Sequence, residues 1–343
     1  MTEARRPVLV TGATSLIGQH VVQLLLDRGE RVRTLQRRSP QVADSAPESS
    51  VEHRAGDVAD SAAVDAAMSG CDAVVHLAAK VGIMGARAEF AAANVDGTRH
   101  VVDAARRHGV TRVVHVSSPS VAHDGTPIIG DVATPALTEV RHGGWYSETK
   151  AIAERLALSA ASDRLGVVAI RPHLVWGPGD TQLVGRIVER AAAGRLALVG
   201  GGTALVDTTY IDNAATALVA ALDAVRPGAR CSGRPYVVAN GEPRPIRELV
   251  LGICAAAGID AEPRDVPFGV ARRVGGAIER LWPRLGRDDE PPLTRFLAEQ
   301  LGTAHWFDPR PARDDLGWSP TVTIDEGLAR LAESFSSAGA PSR

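Results

Sequence analysis

Seven short runs of apolar, mostly β-branched residues recur along the first two-thirds of the chain, and stretches with helical spacing separate them. Most of these runs are apolar throughout, which is typical of strands covered on both faces in a parallel sheet. The predicted strands are residues 7–11, 31–36, 51–54, 73–77, 112–117, 167–171 and 235–239. The predicted helices are residues 17–28, 61–68, 86–108, 145–163, 181–193, 212–223 and 245–256. This alternation predicts an α/β fold with a doubly wound parallel sheet.

The regular alternation ends near residue 176, where glycine-rich loops begin. Residues 263–310 do not fit a strand–helix–strand repeat, and we expect them to form a smaller, mostly C-terminal lobe together with residues 180–210. The Ser, Ala and Gly of residues 333–343 predict a disordered tail. The predicted division is a large domain of residues 1–175 plus about 205–240, and a substrate-binding lobe of about 176–204 plus 241–332.

The composition argues against several classes of protein. A formal net charge of −2 over 343 residues gives no support for a nucleic-acid partner. The three cysteines, Cys71, Cys231 and Cys254, lie far apart, so neither a disulfide framework nor a zinc site is predicted. Because no signal-peptide pattern and no apolar run of about 18 residues occurs, we expect a reduced, cytoplasmic protein.

Residues 268–284 form an amphipathic pattern in which apolar residues recur at helical spacing between arginines. Such a helix either dips into a membrane surface, covers an apolar substrate, or packs on a neighbouring helix. Ordinary packing is the favoured interpretation, and a peripheral membrane contact stays open. The apolar members of the pattern are Val270, Val274, Ala277, Ile278 and Leu281.

The first predicted strand runs into a glycine-containing turn and then into a helix, over residues 8–18. In this context Gly12 permits a tight turn, and Gly18 permits close packing of the helix on the strand. The free N–H groups at the start of the helix attract a pyrophosphate. Ser15 occupies the position of the middle glycine. Its hydroxyl can donate to a phosphate oxygen, and its β-carbon weakens close approach. The pattern predicts a Rossmann dinucleotide site, and a turn without a ligand is the alternative.

The second predicted strand is followed by Arg37 and Arg38, with no acidic residue at its end. An acid at this point binds the ribose hydroxyls of NAD, whereas guanidinium groups suit the 2′-phosphate of NADP. The sequence therefore favours NADP(H), and a solvated basic turn is the alternative.

Tyr146 and Lys150 are four positions apart, which places both on one face of a predicted helix. A nearby ammonium group can lower the pKa of a phenol, so Lys150 is expected to tune Tyr146 for proton transfer. Ser118 follows a buried predicted strand, at the sheet edge where α/β proteins bind ligands, and can hold the same substrate oxygen. Together these three residues predict a carbonyl or alcohol oxidoreductase.

The chain resembles the extended short-chain dehydrogenase/reductases over about residues 7–332. The segments that carry the resemblance are Thr11–Gly18, Gly56–Val58, Asp72–Ala79, Asn94–Thr98, Ser117–Ser118, Tyr146–Lys150, Arg171–Asp180 and Tyr210–Asn213. The resemblance implies that Ser118, Tyr146 and Lys150 form the catalytic triad, and that Lys150 also holds the nicotinamide ribose. Some relatives carry threonine at the position of Ser118, so Ser117 stays an alternative.

The same resemblance implies the remaining contacts with the dinucleotide. Asp57 and Val58 flank the adenine, and Ala78 and Ala79 lie along the central part of the dinucleotide. Residues 172–175 form the wall of the nicotinamide site. The full set of predicted contacts is Gly12, Thr14, Ser15, Leu16, Ile17, Gly18, Arg37, Arg38, Asp57, Val58, Ala78, Ala79, Asn94, Tyr146, Lys150, Pro172, Leu174 and Val175.

Within this family, the chain is most similar to the 3β-hydroxysteroid dehydrogenase-like branch, and there to the 2-alkyl-3-oxoalkanoate reductases of bacterial long-chain olefin biosynthesis. The segments that support this narrower match are residues 149–155, 205–213, 240–243 and 292–306. It implies reduction of an apolar β-keto acid with NADPH. A contact with another pathway enzyme and a homodimer are further hypotheses.

Three other functions stay open at this point: a sterol-4-carboxylate or 3β-hydroxysteroid dehydrogenase, a sugar-nucleotide epimerase, and a non-catalytic dinucleotide sensor. Both Tyr146 and Lys150 are present, which argues against the sensor. The histidines have no metal-ligand spacing and are expected to be structural or on the surface, with His173 near the nicotinamide wall the exception of interest. Asp212 and Asn213 are interpreted as a helix cap.

Overall fold

The computed structural model describes residues 6–37, 50–82, 84–140, 144–282, 291 and 293–338. The strands in chain order are β1 (Val8–Thr11), β2 (Val32–Gln36), β3 (Val51–Ala55), β4 (Ala73–His76), β5 (Arg112–Val116), β6 (Ile128–Asp131), β7 (Gly166–Pro172), β8 (Val175–Trp176), β9 (Ala197–Val199), β10 (Leu205–Val206), β11 (Thr209–Tyr210), β12 (Arg234–Val238), β13 (Arg244–Pro245), β14 (Arg264–Val266) and β15 (His305–Phe307).

The helices alternate with these strands through most of the chain. In chain order they are α1 (Leu16–Asp27), α2 (Ser61–Met68), α3 (Arg87–Phe90), α4 (Gly97–Arg107), α5 (Gly144–Ser159), α6 (Val184–Ala192), α7 (Ile211–Ala224), α8 (Ile246–Ala256), α9 (Phe268–Leu281), α10 (Arg295–Gly302), α11 (Arg310–Leu316) and α12 (Ile324–Ala338). A π-helix (Ala91–Asp96) joins α3 to α4, and a short 3₁₀ helix (Pro119–Ala122) follows β5. None of the helices among the described residues is both long and apolar enough to cross a membrane.

The large sheet has seven parallel strands in the order β12-β7-β5-β4-β1-β2-β3, which confirms the predicted α/β fold and all seven predicted strands. The strand order reverses at β1, beside β4. In open parallel sheets, ligands bind outside the carboxyl ends of the strands at such a point. The sheet therefore directs the ends of β1, β2, β4, β5 and β7 toward one edge.

Alternate residues of β1 enter different cores, which explains why the strand is mostly apolar. Val8 and Val10 pack in the cluster formed with α1 and α7, and Leu9 packs in the cluster formed with α2 and α4. Because successive side chains of a strand point to opposite faces, a strand covered by helices on both sides is mostly apolar, and in β1 the polar residue is Thr11 at the carboxyl end.

The remaining strands form small sheets, and these combine segments from both parts of the predicted division, since β6 and β10 lie in ranges predicted for the large domain. One sheet has the order β13-β10-β15-β6, and β14 pairs with β9 in another. Strand β6 lies between β5 and α5 in the chain, and pairs with β15 from a segment far later. The ring of Trp306 lies against Gly130, where an added β-carbon would approach the ring to 2.8 Å. The loop before the predicted catalytic helix is thus held by the C-terminal part of the chain.

Two sequence predictions are wrong in this part of the molecule. Helix α12 continues to Ala338, so residues 333–338 are helical, because Leu328, Leu331 and Phe335 pack in the core formed with α8; residues 339–343 lie outside the described residues. The cap interpretation fails as well, since helix α7 begins after Tyr210 without a side-chain cap.

Asn213 joins distant segments instead of capping a helix. Its amide donates to the carbonyl oxygen of Val322 at 2.7 Å and to Asn240 Oδ1 at 2.9 Å. Asp212 pairs with Arg330 at 2.8 Å. The two residues therefore fix α7 to the C-terminal segment.

Helix α9 packs on α10, as the favoured interpretation of residues 268–284 predicted, but it does so through small residues. Ala271 is buried, and a β-carbon at Gly275 would lie 2.6 Å from the carbonyl carbon of Thr294. The side chains of Val270, Val274 and Leu281 are 49, 45 and 54% exposed. The apolar stripe predicted to pack is thus on the outer side of the helix.

Candidate active site

The predicted site residues follow five neighbouring strands of the large sheet at its carboxyl edge. The turn at Gly12 follows β1, Arg37 follows β2, Ala78 follows β4, Ser118 follows β5, and His173 follows β7. The parallel sheet thus gathers residues that are far apart in the sequence.

The turn after β1 approaches the segment after β4 closely. Gly12 has φ of +72°, and a β-carbon there would lie 2.7 Å from the backbone nitrogen of Ala78. A β-carbon on Gly18 would lie 2.4 Å from the carbonyl oxygen of Gly12. Only glycine fits either position. Thr11 Oγ1 accepts a hydrogen bond from the same Ala78 nitrogen at 3.2 Å, which fixes the spacing of the two segments.

Ser15 is the N-cap of α1, and its hydroxyl serves the turn itself. Its oxygen accepts from the backbone N–H of Gly18 at 3.1 Å, and its proton goes to the carbonyl oxygen of Gly12 at 2.8 Å. The backbone N–H groups of Leu16 and Ile17 remain at the positive end of a 12-residue helix. The hydroxyl that the sequence offered to a phosphate is therefore used for capping, while the exposed Thr14 and Ser15 stand at the mouth of the turn.

The end of β2 carries an exposed cation next to a carboxylate. The Arg37 side chain is 82% exposed, and its Nε lies 3.9 Å from Asp57 Oδ2. Gln36, the last residue of β2, is buried, and neither its amide oxygen nor its amide nitrogen has a partner among the described residues. Arg38, the second predicted arginine, lies outside the described residues. Val58 is buried against Gly97, where a β-carbon would approach its Cγ2 to 2.8 Å.

Ser118 and Tyr146 are brought together, although 28 positions separate them in the chain. A side-chain hydrogen bond joins their hydroxyls. Ser118 caps the 3₁₀ helix after β5, and its hydroxyl also pairs with that of Ser120 at 3.0 Å. The hydroxyl of Ser117 is buried without a partner among the described residues. Of the two candidate serines, Ser118 is the one that contacts Tyr146.

The effect predicted for Lys150 on Tyr146 is not found in this structure. Burial raises the pKa of the Tyr146 phenol above its ordinary value, and the hydrogen bond with Ser118 opposes that rise. The ammonium of Lys150 instead donates to the carbonyl oxygen of Val116 at 2.5 Å. Burial lowers the pKa of Lys150 to about 8, and the nearby Glu154 carboxylate opposes that fall. A lowering of the pKa of the phenol by Lys150 therefore stays a prediction.

Asn94 lies on the π-helix and connects three segments around the predicted site. Its Oδ1 accepts from the backbone N–H of Lys80 at 2.7 Å, and its Nδ2 donates to the Lys80 carbonyl at 3.1 Å. The same nitrogen donates to Thr149 Oγ1 at 2.9 Å, next to Lys150. π-Helical turns are frequent at functional sites. Asn94 therefore positions the catalytic helix against the segment that follows Ala79.

The sequence reasoning missed a buried ion pair that anchors helix α5. Arg171 Nε lies 2.8 Å from Glu154 Oε2, and Arg171 Nη2 lies 2.5 Å from Glu154 Oε1. The two side chains are 1 and 0% exposed. Arg171 stood in a recognised segment, and Glu154 lies one helical turn after Lys150. An i, i+4, i+8 pattern of Tyr, Lys and Glu could have indicated it.

The predicted nicotinamide wall, residues 172–175, is held in an unusual backbone conformation. Leu174 has φ of +43°, which is rare for a residue other than glycine. Thr209 secures the segment, because its hydroxyl donates to the carbonyl oxygen of His173 at 2.7 Å and its N–H donates to that of Leu174 at 3.3 Å. Strained backbone of this kind is concentrated at functional sites.

A cavity of about 120 Å³ opens between this wall and Ser118. His173, expected to be of interest, lines it, and so does His305, which was expected to be structural or on the surface. Both are buried. The cavity is lined by Ser118, Pro119, Ser120, His123, Ile128, Pro172, His173, Leu174, Phe296, Gln300 and His305.

The residues at the sheet edge fit a dinucleotide. The close approach at Gly12 leaves backbone exposed where a pyrophosphate would bind, and helix α1 points its N-terminus there. The buried amide of Gln36 lies at the end of the strand where a ribose is bound in this fold.

Comparison with known proteins places these features in a family. The sequence pattern of the 3-beta hydroxysteroid dehydrogenase/isomerase family matches residues 9–267. The 2-alkyl-3-oxoalkanoate reductase of Stenotrophomonas maltophilia is 47% identical over 329 residues, which cover 95% of this chain and 98% of the relative. The protein of that name from Shewanella oneidensis is 36% identical, over 95% of this chain and 85% of the relative.

Solved structures share the fold. MoeE5 in complex with UDP-glucose and NAD superimposes with a TM-score of 0.73 and 26% identity, covering 97% of this chain and all of that one (100%).

Proposed function

Because the chain belongs to the 3-beta hydroxysteroid dehydrogenase/isomerase family, we propose that it reduces the 3-keto group of 2-alkyl-3-oxoalkanoic acids with NADPH. Membership in this extended short-chain dehydrogenase/reductase family makes the chain an oxidoreductase that uses a nicotinamide dinucleotide. The substrate class rests on the likeness to the two reductases of that name. The structural observation that carries the proposal is the hydrogen bond between Ser118 and Tyr146, because Ser118 also lines the cavity beside residues 172–175.

In this mechanism, Tyr146 and Ser118 act on the ketone oxygen. When bound, the dinucleotide supplies the hydride that the ketone carbon accepts. The buried phenol of Tyr146, whose pKa is raised by burial, is protonated at neutral pH and donates its proton to the oxygen. Ser118 donates a hydrogen bond to the same oxygen and fixes its position.

Lys150 holds the ribose and supplies charge near the phenol. Its side chain is buried one turn after Tyr146, and a ribose hydroxyl can compete with the Val116 carbonyl for its ammonium protons. Asn94 and the Arg171–Glu154 pair keep the helix in place while this exchange occurs.

The choice of NADPH rests on the arginine at the end of β2. Arg37 is exposed, and no acidic residue ends this strand, so a 2′-phosphate meets a guanidinium group. Asp57, 3.9 Å from Arg37, favours ribose hydroxyls instead. A place in olefin biosynthesis is part of the same proposal and follows from the substrate alone.

The second candidate is oxidation of a 3β-hydroxysteroid, which the description of the matching family favours. Both candidate substrates carry a secondary alcohol or a ketone. The 2-alkyl-3-oxo acid has a carboxyl group next to it, and the 3β-hydroxysteroid does not. A non-catalytic dinucleotide sensor is the third candidate.

The test runs the reaction in the oxidative direction, because 3-oxo acids lose carbon dioxide. The purified protein receives a 2-alkyl-3-hydroxy fatty acid or a 3β-hydroxysteroid, each with NADP⁺ or NAD⁺, and the absorbance of the reduced nicotinamide is followed. We expect turnover of the fatty acid with NADP⁺. Turnover of the steroid alone would assign the chain to the second candidate. No turnover of either, with NADPH still bound, would favour the sensor.

A further inference from the structure

The cavity beside Ser118 is lined by an unusual set of polar side chains. Three buried imidazoles meet there: the ring centres of His123 and His305 lie 5.1 Å apart, and those of His173 and His305 lie 6.1 Å apart. Gln300 is the other large polar side chain of the lining. No lining residue is acidic or permanently charged.

His173 and His305 are held in their neutral form by burial and by the neighbouring imidazoles. Burial lowers the pKa of His173 to about 4 and that of His305 to about 3, and the mutual repulsion of the three rings adds to the effect. A bound anion would oppose this effect, because an opposite charge nearby favours the charged form of an imidazole. Among the described residues, no group of three or more His, Cys, Asp or Glu side chains is arranged to hold a metal ion.

Two carboxyl groups of the protein lie on neighbouring elements, but neither acts as the anion among these imidazoles. Asp207 accepts hydrogen bonds from the backbone N–H groups of Gly241 at 3.1 Å and Glu242 at 3.3 Å. Glu299 pairs with Arg272 at 2.9 Å. The carbonyl oxygen of Asp207 engages His173 Nδ1 at 2.5 Å, so this imidazole donates away from the cavity. His305 Nε2 lies 3.3 Å from Thr303 Oγ1, while its Nδ1 is buried without a hydrogen bond to the described residues. The rings of His123 and His305 meet at 5.1 Å, and this is the pair that we take to face an anion.

The cavity is too small for a whole lipid but suits one end of it. Its volume of about 120 Å³ is below the range of pockets that enclose drug-sized ligands. In a β-keto acid, a single carbon separates the ketone from the carboxylate, so both must lie in the same small space. Ser118, which holds the ketone oxygen in the proposed function, lines the cavity together with His123 and His305.

We propose that the His123–His305 pair binds the carboxylate of the substrate and thereby selects 3-oxo acids over ketones that lack a carboxyl group. This inference rests on the proposed function, because it assumes that Ser118 and Tyr146 hold the ketone oxygen. The alkyl chains then leave the cavity past apolar lining such as Ile128 and Phe296.

The test compares two substrates that differ only in the carboxyl group. One is the 2-alkyl-3-hydroxy fatty acid, and the other is the secondary alcohol of the same carbon skeleton without the carboxyl. In His305→Leu and in His123→Leu we expect the preference for the acid, as a ratio of kcat/KM values, to fall about 10- to 100-fold, mainly through KM for the acid. His305→Gln, which keeps an N–H donor, should recover part of the preference. Phe296→Leu, which changes the cavity without removing a donor, should alter both substrates alike.

A binding measurement separates this proposal from the proposed function. A saturated 2-alkylalkanoic acid, which cannot react, is titrated into the wild type and the variants by calorimetry, with NADP⁺ binding checked for each to show that the site is folded. Acid binding that weakens more in His305→Leu than in Phe296→Leu supports the carboxylate site, even if no substrate is turned over. An equal effect of His305→Leu on acid and alcohol, or no binding of the acid by the wild type, would overturn it.

Discussion

Tyr146 is hydrogen-bonded to Ser118, and the protonated form of its phenol suits the reductive direction of the reaction. Burial raises the pKa of the phenol, so the proton stays on Tyr146 until a stronger acceptor arrives. A ketone oxygen that gains electron density is such an acceptor. Ser117 is one residue away but does not contact the phenol, which shows how strongly strand and turn geometry restrict the role to a single side chain.

Replacing Tyr146 by Phe should lower kcat by about 10²- to 10⁴-fold, the usual contribution of a general acid. NADPH affinity, measured by the fluorescence of the reduced nicotinamide, should stay largely intact, since the ring is retained. Tyr236→Phe is the matched control: this phenol bonds Asp315 at 2.6 Å, away from the cavity, and its loss should leave kcat unchanged. Loss of NADPH binding in Tyr146→Phe would contradict the assigned role.

Replacing Arg37 by Ala should weaken NADPH binding about 10- to 100-fold and leave NADH binding nearly unchanged, because only the 2′-phosphate needs the guanidinium group. Both dissociation constants are measured by titration. Arg28→Ala serves as the control, since Arg28 lies at the opposite end of α1 and pairs with Asp223 at 2.8 Å. Equal losses for the two dinucleotides would show that Arg37 does not read the phosphate.

Helix α5 is the element on which the site depends most. It presents Tyr146, Lys150 and Glu154 on successive turns, and Glu154 ties the helix to β7 through Arg171. A buried pair of this kind keeps one register between helix and sheet, because any slip leaves a charge without its partner in an apolar environment.

We expect Glu154→Gln to lower the free energy of unfolding by about 3–5 kcal/mol, because it leaves the buried Arg171 charge uncompensated. Asp223→Asn, which breaks the exposed pair with Arg28, should cost only about 0–1 kcal/mol. Urea denaturation measures both. Similar values for the two variants would mean that burial does not strengthen the Arg171–Glu154 pair.

How well each element could be predicted from the sequence depends on its length and burial. The seven strands of the large sheet were predicted because each contains β-branched residues and most are largely apolar, as strands covered on both faces are. Strands of two or three residues, such as β8 and β10, escaped because they are too short to show a period. The Gly12 turn and Tyr146 were identified from spacing, whereas the Asn94 bonds and the Arg171–Glu154 pair depend on which segments the fold brings together.

At the scale of the whole molecule, Asp207 lies where the small sheet meets the nicotinamide wall. Its carboxyl group is buried between β10 and β11, and its backbone carbonyl holds His173. Burial raises its pKa to about 7, and the hydrogen bonds from Glu242 and Gly241 oppose that rise. Its protonation state thus affects how firmly the loop between β10 and β11 is held beside the cavity.

The stability of the chain should therefore depend on pH through Asp207. Its folded pKa is above the ordinary value of 3.8, so the folded state holds this proton more tightly, and the contribution to stability falls as the pH rises from about 4 to about 7. Asp207→Asn removes this titration. The unfolding free energy of the variant relative to the wild type should increase across that range, as measured by urea denaturation at several pH values. A difference that stays constant with pH would contradict this assignment.

The pairing of β6 with β15 determines which parts of the molecule can form only late in synthesis. All seven strands of the large sheet have been synthesised by Val238, and with them the turn at Gly12. The cavity also needs His305, and the loop that contains β6 needs Trp306 to pack against Gly130. Because chains emerge from the N-terminus, the strands of the large sheet are made before the residues that complete the cavity. Ala312, Leu316 and Trp318 pack in the same core as Val8 and Val10 and follow β15 as well, so a chain that ends before β15 lacks part of both.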